Sequence, residues 1–225
     1  MKQTGNDFSR QITKTVHLNY FCHLPAAAKT DPQKKWPLIF FLHGAGERGN
    51  DLTLIKKHGI PKEVELAEDF PFITIAPQCP EAITWAELLD EVHALLEYAL
   101  QTYPADPEHV YLTGMSMGGF GTFAFAAKYP QYFTAIAPIC GGSPWLIAEE
   151  RVHPLAGIPI WVFHGAKDDV VPVEMSQTMV QLMQAQGADV KFTIYPEAKH
   201  DAWTATYSNP ELYKWFLAHK KNNQN

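Results

Sequence analysis

The chain has 225 residues, 46% hydrophobic and 19% charged, with a formal net charge of −6. This composition supplies apolar material for one sizeable core. Its acidic balance argues against a nucleic-acid or anionic-membrane partner, since both reward a basic face. The start of the chain, Met1–His17, is polar and lacks the apolar run of a signal peptide. No segment approaches the roughly 20 apolar residues of a bilayer span. Three widely separated cysteines, Cys22, Cys79 and Cys140, form no Cys-x-x-Cys pair. They read as reduced thiols of a cytoplasmic protein, with export left open only if a signal once preceded the chain.

In chain order, Ile12–Phe21 alternates apolar and polar residues and predicts an antiparallel edge strand. Near-continuous apolar runs follow at Pro37–Leu42, Phe72–Ala76, His109–Thr113, Thr134–Ile139, Ile158–Phe163 and Val190–Tyr195. Such runs suit strands covered on both faces. Between them, Leu88, Leu89, Val92, Leu95, Leu96, Ala99 and Leu100 make an apolar stripe at helical spacing. Met175, Met179, Leu182 and Met183 make another, with Gly187 as a stop. A last helix is expected over Pro210–His219, with Asn209 as its cap. The pattern predicts a single α/β domain over residues 1–225, a mostly parallel central sheet with helices on both faces.

The sharpest local signal is Gly114-Met115-Ser116-Met117-Gly118, placed after one apolar run and before a helical stretch. In that strand–turn–helix context, Gly-x-Ser-x-Gly marks a tight turn presenting a serine nucleophile. The glycines are needed because side chains there would collide with the adjoining strand and helix. A serine hydroxyl is a poor nucleophile near neutral pH and needs a base oriented by a carboxylate. After Ile158–Phe163 comes His164-Gly165-Ala166-Lys167-Asp168-Asp169, which offers two acids. Asp168 is taken as the triad acid and Asp169 as a solvated or capping aspartate. After Val190–Tyr195 comes His200, taken as the general base. His219 is placed near an exposed helix end, and His43 and His164 are given structural roles in strand-end turns. The expected oxyanion donors are the backbone N–H groups of Met117 and of Ala45, with Gly46 the next choice. Ala45 and Gly46 lie in the glycine-rich loop after Leu42, which has no Gly-Lys-Ser/Thr and so does not read as a nucleotide cradle.

With those residues in view, the chain resembles the small single-domain α/β-hydrolases related to phospholipase/carboxylesterases, dienelactone hydrolases and the so-called predicted peptidases. The resemblance rests on Leu42–Gly49, Ala76–Pro80, Tyr111–Gly119, His164–Asp168 and His200–Trp203, and spans roughly residues 37–217. It places Ser116, Asp168 and His200 at triad positions and implies hydrolysis of carboxylic esters. Dienelactone hydrolases proper use a cysteine nucleophile, from which Ser116 departs. The expected activity is a serine carboxylesterase acting on small short-acyl or aryl esters through an acyl-enzyme, without metal or organic cofactor. The alternatives are a peptidase or thioesterase on the same triad, or a non-catalytic binding protein. Trp85, Trp145 and Trp203 are candidate pocket residues, each with ordinary packing as the competing role.

Overall fold

The computed structural model describes residues 4–31, 33–143 and 152–221. Its core is a seven-stranded sheet in the order β1-β3-β2-β4-β5-β6-β7. The strands are β1 (Tyr20–His23), β2 (Trp36–Leu42), β3 (Ile73–Pro77), β4 (Ala105–Met115), β5 (Ala135–Ile139), β6 (Ile160–Gly165) and β7 (Val190–Tyr195). β1 is antiparallel to β3, and every other pairing is parallel.

Successive residues of the central strands enter opposite cores, as the two-residue period of a strand requires. Leu38, Phe40 and Leu42 of β2 join one cluster, while Ile39 and Phe41 join the other. In β6, Ile160 and Val162 face one way and Trp161 and Phe163 the other. The first cluster is closed by α2 (Leu89–Thr102), α3 (Met117–Lys128) and α4 (Val173–Ala185), through residues such as Leu96, Phe123 and Met179. The second is closed by α1 (Gly59–Leu66), α5 (Trp203–Tyr207) and α6 (Pro210–Leu217), through Ile60, Tyr207 and Phe216. This is the expected α/β-hydrolase architecture. Each fully buried large apolar side chain contributes roughly 1.5–3 kcal/mol, so the double-faced sheet carries much of the stability.

The N-terminal edge is a correction to the sequence expectation. Only Tyr20 and Phe21 of the run Ile12–Phe21 are in the strand, which continues to His23. Its partner β3 ends at Pro77, opposite Tyr20. The chain's alternation extends further back; the Gln78 N–H still donates to the Asn19 carbonyl at 2.8 Å, and Ile12 lies exposed. Asn209 does cap α6, its side chain accepting from the Glu211 N–H at 3.0 Å. Gly187 follows α4 with φ +78°, the left-handed conformation of a helix stop.

Candidate active site

β4 ends at Met115 and α3 begins at Met117, so Ser116 is the whole turn between them. It has φ 54° and ψ −119°, a conformation that non-glycine residues rarely adopt. Its N–H donates to the Ile139 carbonyl at 2.9 Å, which pins the turn to the end of β5. A Cβ on Gly118 would lie 2.5 Å from the Leu42 carbonyl carbon and 2.8 Å from the His43 carbonyl oxygen. α3 can therefore approach β2 only because that position lacks a side chain.

The loops after β6 and β7 converge on this turn. His200 Nε2 lies 2.9 Å from Ser116 Oγ, and His200 Nδ1 lies 2.8 Å from Asp168 Oδ2. The Asp168 side chain is fully buried, while His200 keeps 17% of its side-chain surface. Burial opposes the charge on Asp168. Even so, hydrogen bonds from His200 and from the N–H groups of Val171 and Val170 hold its carboxyl below the usual range. Asp169, next in the chain, is exposed and sits 3.4 Å from Lys199 Nζ.

His164, assigned a structural role, is a second histidine on the same carboxylate. Its Nε2 lies 3.1 Å from Asp168 Oδ2 and 2.8 Å from the Val171 carbonyl, and its Nδ1 lies 2.7 Å from Ser176 Oγ. Cys140, His164 and Asp168 bring potential metal-binding atoms within 4.8 Å of one another. Those of His164 and Asp168 are already engaged in protein hydrogen bonds. Burial, with the Asp168 charge adding to it, pushes the Cys140 thiol up to about 12. The trio is thus a hydrogen-bonded brace more than a set of free ligands.

Ala45 opens a 3-10 turn over Ala45–Glu47, and Met117 opens α3. First residues of helical turns have N–H groups without an intrahelical partner, which suits both as donors to a developing oxyanion. The Ala45 loop is braced by His43. The His43 ring accepts from the Cys79 N–H at 2.9 Å through Nε2, and its Nδ1 donates to the Gly44 carbonyl at 2.6 Å. Burial, chiefly, lowers the His43 pKa to about 4. The 3.8 Å approach of its Nδ1 to Glu47 is therefore no ion pair near neutral pH.

The three tryptophans part company. Trp85 is fully buried and donates to the His43 carbonyl at 2.9 Å, so it is first a packing residue, although it also borders a cavity beside α3. Trp203 packs edge-on against His200, with ring centroids 5.1 Å apart, and also against His58 at 5.9 Å. Trp145 lies outside the described residues. Sequence reasoning did not single out Glu47 or Phe120. Glu47 is a buried acid inside the glycine-rich loop, and burial raises its pKa. A charged residue closely following a buried strand was its only signal. Phe120 is half-buried one turn after Ser116, and its place on the helix face could have been read from the 3.6-residue period.

Residues 75–222, well over half of the chain, match the Dienelactone hydrolase family. The chain belongs to that family. Within it, this family member carries serine, Ser116, in the Gly-x-Ser-x-Gly turn between β4 and α3. It is 29% identical over 161 residues to a probable carboxylesterase of Oryza sativa subsp. japonica, covering 69% of this chain and 58% of that protein. It is 28% identical over 128 residues to a carboxylesterase of Arabidopsis thaliana, covering 56% of this chain and 54% of that one. The chain spans between 22% and 58% of the length of the first curated relatives. Among solved structures, a thermostable esterase superposes with a TM-score of 0.78 at 32% identity, covering 91% of this chain and 60% of that one. A ferulic acid esterase superposes with a TM-score of 0.66 at 18% identity, covering 88% and 90%, which speaks for the fold alone.

Proposed function

We propose that this family member hydrolyses small carboxylic esters through a Ser116 acyl-enzyme. The observation that carries the reading is the unbroken relay Ser116 Oγ–His200 Nε2 at 2.9 Å and His200 Nδ1–Asp168 Oδ2 at 2.8 Å, set on a strained turn. Ser116 Oγ attacks the ester carbonyl as His200 takes its proton. The N–H groups of Met117 and Ala45 receive the charge on the former carbonyl oxygen. Asp168 holds the Nδ1–H tautomer and balances the imidazolium. His200 then protonates the departing alcohol. Water, deprotonated in turn by His200, attacks the acyl-enzyme and frees the acid. Each step uses side chains and backbone groups of this chain.

Several observations support a small-molecule substrate. Relatives at the level of sequence include a probable carboxylesterase and a carboxylesterase. Among the described residues, no helix is long and apolar enough to cross a membrane. The three cysteines are unpaired, which supports a reducing compartment.

The test is hydrolysis of p-nitrophenyl acetate and butyrate by wild type and Ser116→Ala, run beside a thioester and a peptide p-nitroanilide. Wild type should turn over the oxygen esters, and Ser116→Ala should lose roughly 10⁴-fold or more in kcat. Equal rates in the two proteins would remove Ser116 as nucleophile. A peptide preferred over every ester would replace the esterase reading with the peptidase one.

A further inference from the structure

α3 is apolar almost all round, the composition of a helix covered on every side. One of its faces is nevertheless not fully covered. Met117, Phe120 and Ala124, at helical spacing, are each only half-buried. With Trp85, Thr84 and Ser143 they line a largely apolar cavity of about 220 Å³. One of its lining residues, Met117, directly follows Ser116 in the chain. On one side its wall is tightly closed: a Cβ at Gly121 would meet Trp85 Cβ at 2.6 Å, so the helix and the Trp85 segment touch there through a glycine.

The chemistry decides which half of an ester could occupy this space. His200 must hand its proton to the departing oxygen, so the alcohol half has to lie on the His200 side, where Trp203 packs at 5.1 Å. Neither His200 nor Trp203 lines the cavity; Met117, whose N–H is one of the proposed oxyanion donors, does. Size narrows the occupant. A dry cavity of about 150 Å³ in another protein takes up a benzene ring, so about 220 Å³ has room for one ring and a short tether. An extended long-chain acyl group would have to leave it. Phe120, half-buried on this face, also supplies an aromatic wall that favours ring–ring contact.

We propose that this cavity receives the acyl half of the ester, and that Phe120 and Ala124 restrict it to a group the bulk of a single ring. The assignment rests on the ester-hydrolase reading above and names the substrate class of that site.

The experiment holds the alcohol constant and varies the acyl group: p-nitrophenyl acetate, phenylacetate and dodecanoate, with kcat/KM measured for wild type, Ala124→Phe and Phe120→Ala. Circular dichroism and a thermal melt establish that each variant is folded. Wild type should favour phenylacetate over acetate by about tenfold, the scale on which a hydrophobic pocket discriminates, and dodecanoate should fall below phenylacetate. Ala124→Phe fills the cavity and should lower the phenylacetate-to-acetate ratio about tenfold. Phe120→Ala enlarges it and should raise dodecanoate relative to phenylacetate. If Ala124→Phe does not fold, the opposite shift in Phe120→Ala decides. Ratios that match wild type in the folded variants overturn the acyl-site assignment and leave the esterase reading standing. Loss of the esterase reading looks different: wild type then shows no Ser116-dependent turnover of any of the three esters.

Discussion

The turn that carries Ser116 and the loops that carry Asp168 and His200 meet within a few ångströms but are held there by different forces. The turn is fixed by close packing of backbone on backbone, with Gly118 against β2 and the Ser116 N–H on Ile139. The two loops are fixed by hydrogen bonds into polar groups. Asp168 alone gathers His200, the Val170 and Val171 N–H groups and a 3.1 Å approach from His164. Packing of this kind has no spare volume, so an error there is paid by the fold. Hydrogen bonds to one carboxylate can be altered with much of the shape intact, so an error there falls on the chemistry.

The largest way to break that contrast is Gly118→Ala. With a methyl 2.5 Å from the Leu42 carbonyl carbon, α3 must move off β2. The expected outcome is insoluble protein, or a loss above about 4 kcal/mol in urea unfolding. Near-wild-type stability would show that the turn has slack. Asp168→Asn tests the other side. It keeps the shape but alters the acceptor for His200 Nδ1–H, and the rate on p-nitrophenyl acetate should fall by about 10³–10⁴-fold, with a thermal midpoint much nearer wild type than that of Gly118→Ala. Asp169→Asn is its neighbour control, exposed and paired only with Lys199; it should change activity less than about twofold, since surface pairs are worth little. Comparable losses in the two aspartate variants would contradict the assignment of Asp168.

A smaller effect sharpens the comparison on the brace of the oxyanion loop. His43 is held neutral, its pKa lowered from 6.5 to about 4, mainly by burial. Its folded value lies below its unfolded one, so protons bind preferentially to the unfolded chain between those limits. The stability conferred by neutral His43 is complete above pH 6.5 and declines as pH falls toward about 4. The total for this group is about 3 kcal/mol. Urea unfolding at pH 7 and pH 5 should differ by about 2 kcal/mol from His43, and His43→Gln should flatten that slope. The smallest expected effect concerns the thiols. Burial pushes Cys79 to about 11 and Cys140 to about 12, so neither should react with an aromatic disulfide reagent at pH 8 until the protein is unfolded. Rapid labelling of Cys140 in the native protein would show that the floor of the site opens.

How far each region could be read from the sequence follows the same division. The nucleophile turn is a local object: five consecutive residues between a strand and a helix state their own steric requirement, so Ser116 was legible without any partner. Val190–Tyr195 coincided with β7, but as an edge strand it is exposed at Lys191 and Ile194 and is not covered on both faces as expected. That Asp168 and His200 sit in the loops after β6 and β7 was legible too, since each follows an apolar run. What escaped was whatever depends on residues distant in sequence. The N-terminal alternation reads as a longer strand, yet beyond Pro77 the Gln78 N–H still donates to the Asn19 carbonyl, and further back Ile12 lies exposed. What the sequence did not show of Trp85 is that its Nε1–H donates to the His43 carbonyl, 42 positions away.

By itself the sequence determined the layered α/β architecture and the serine turn, because hydrophobic periodicity and glycine sterics act between near neighbours. Only the tertiary structure decided that His164 shares the Asp168 carboxylate with His200, and that Met117, Phe120 and Ala124 of α3 border a cavity. Those outcomes are set by distances between loops on different strands, and no local pattern of residues encodes a distance across the sheet.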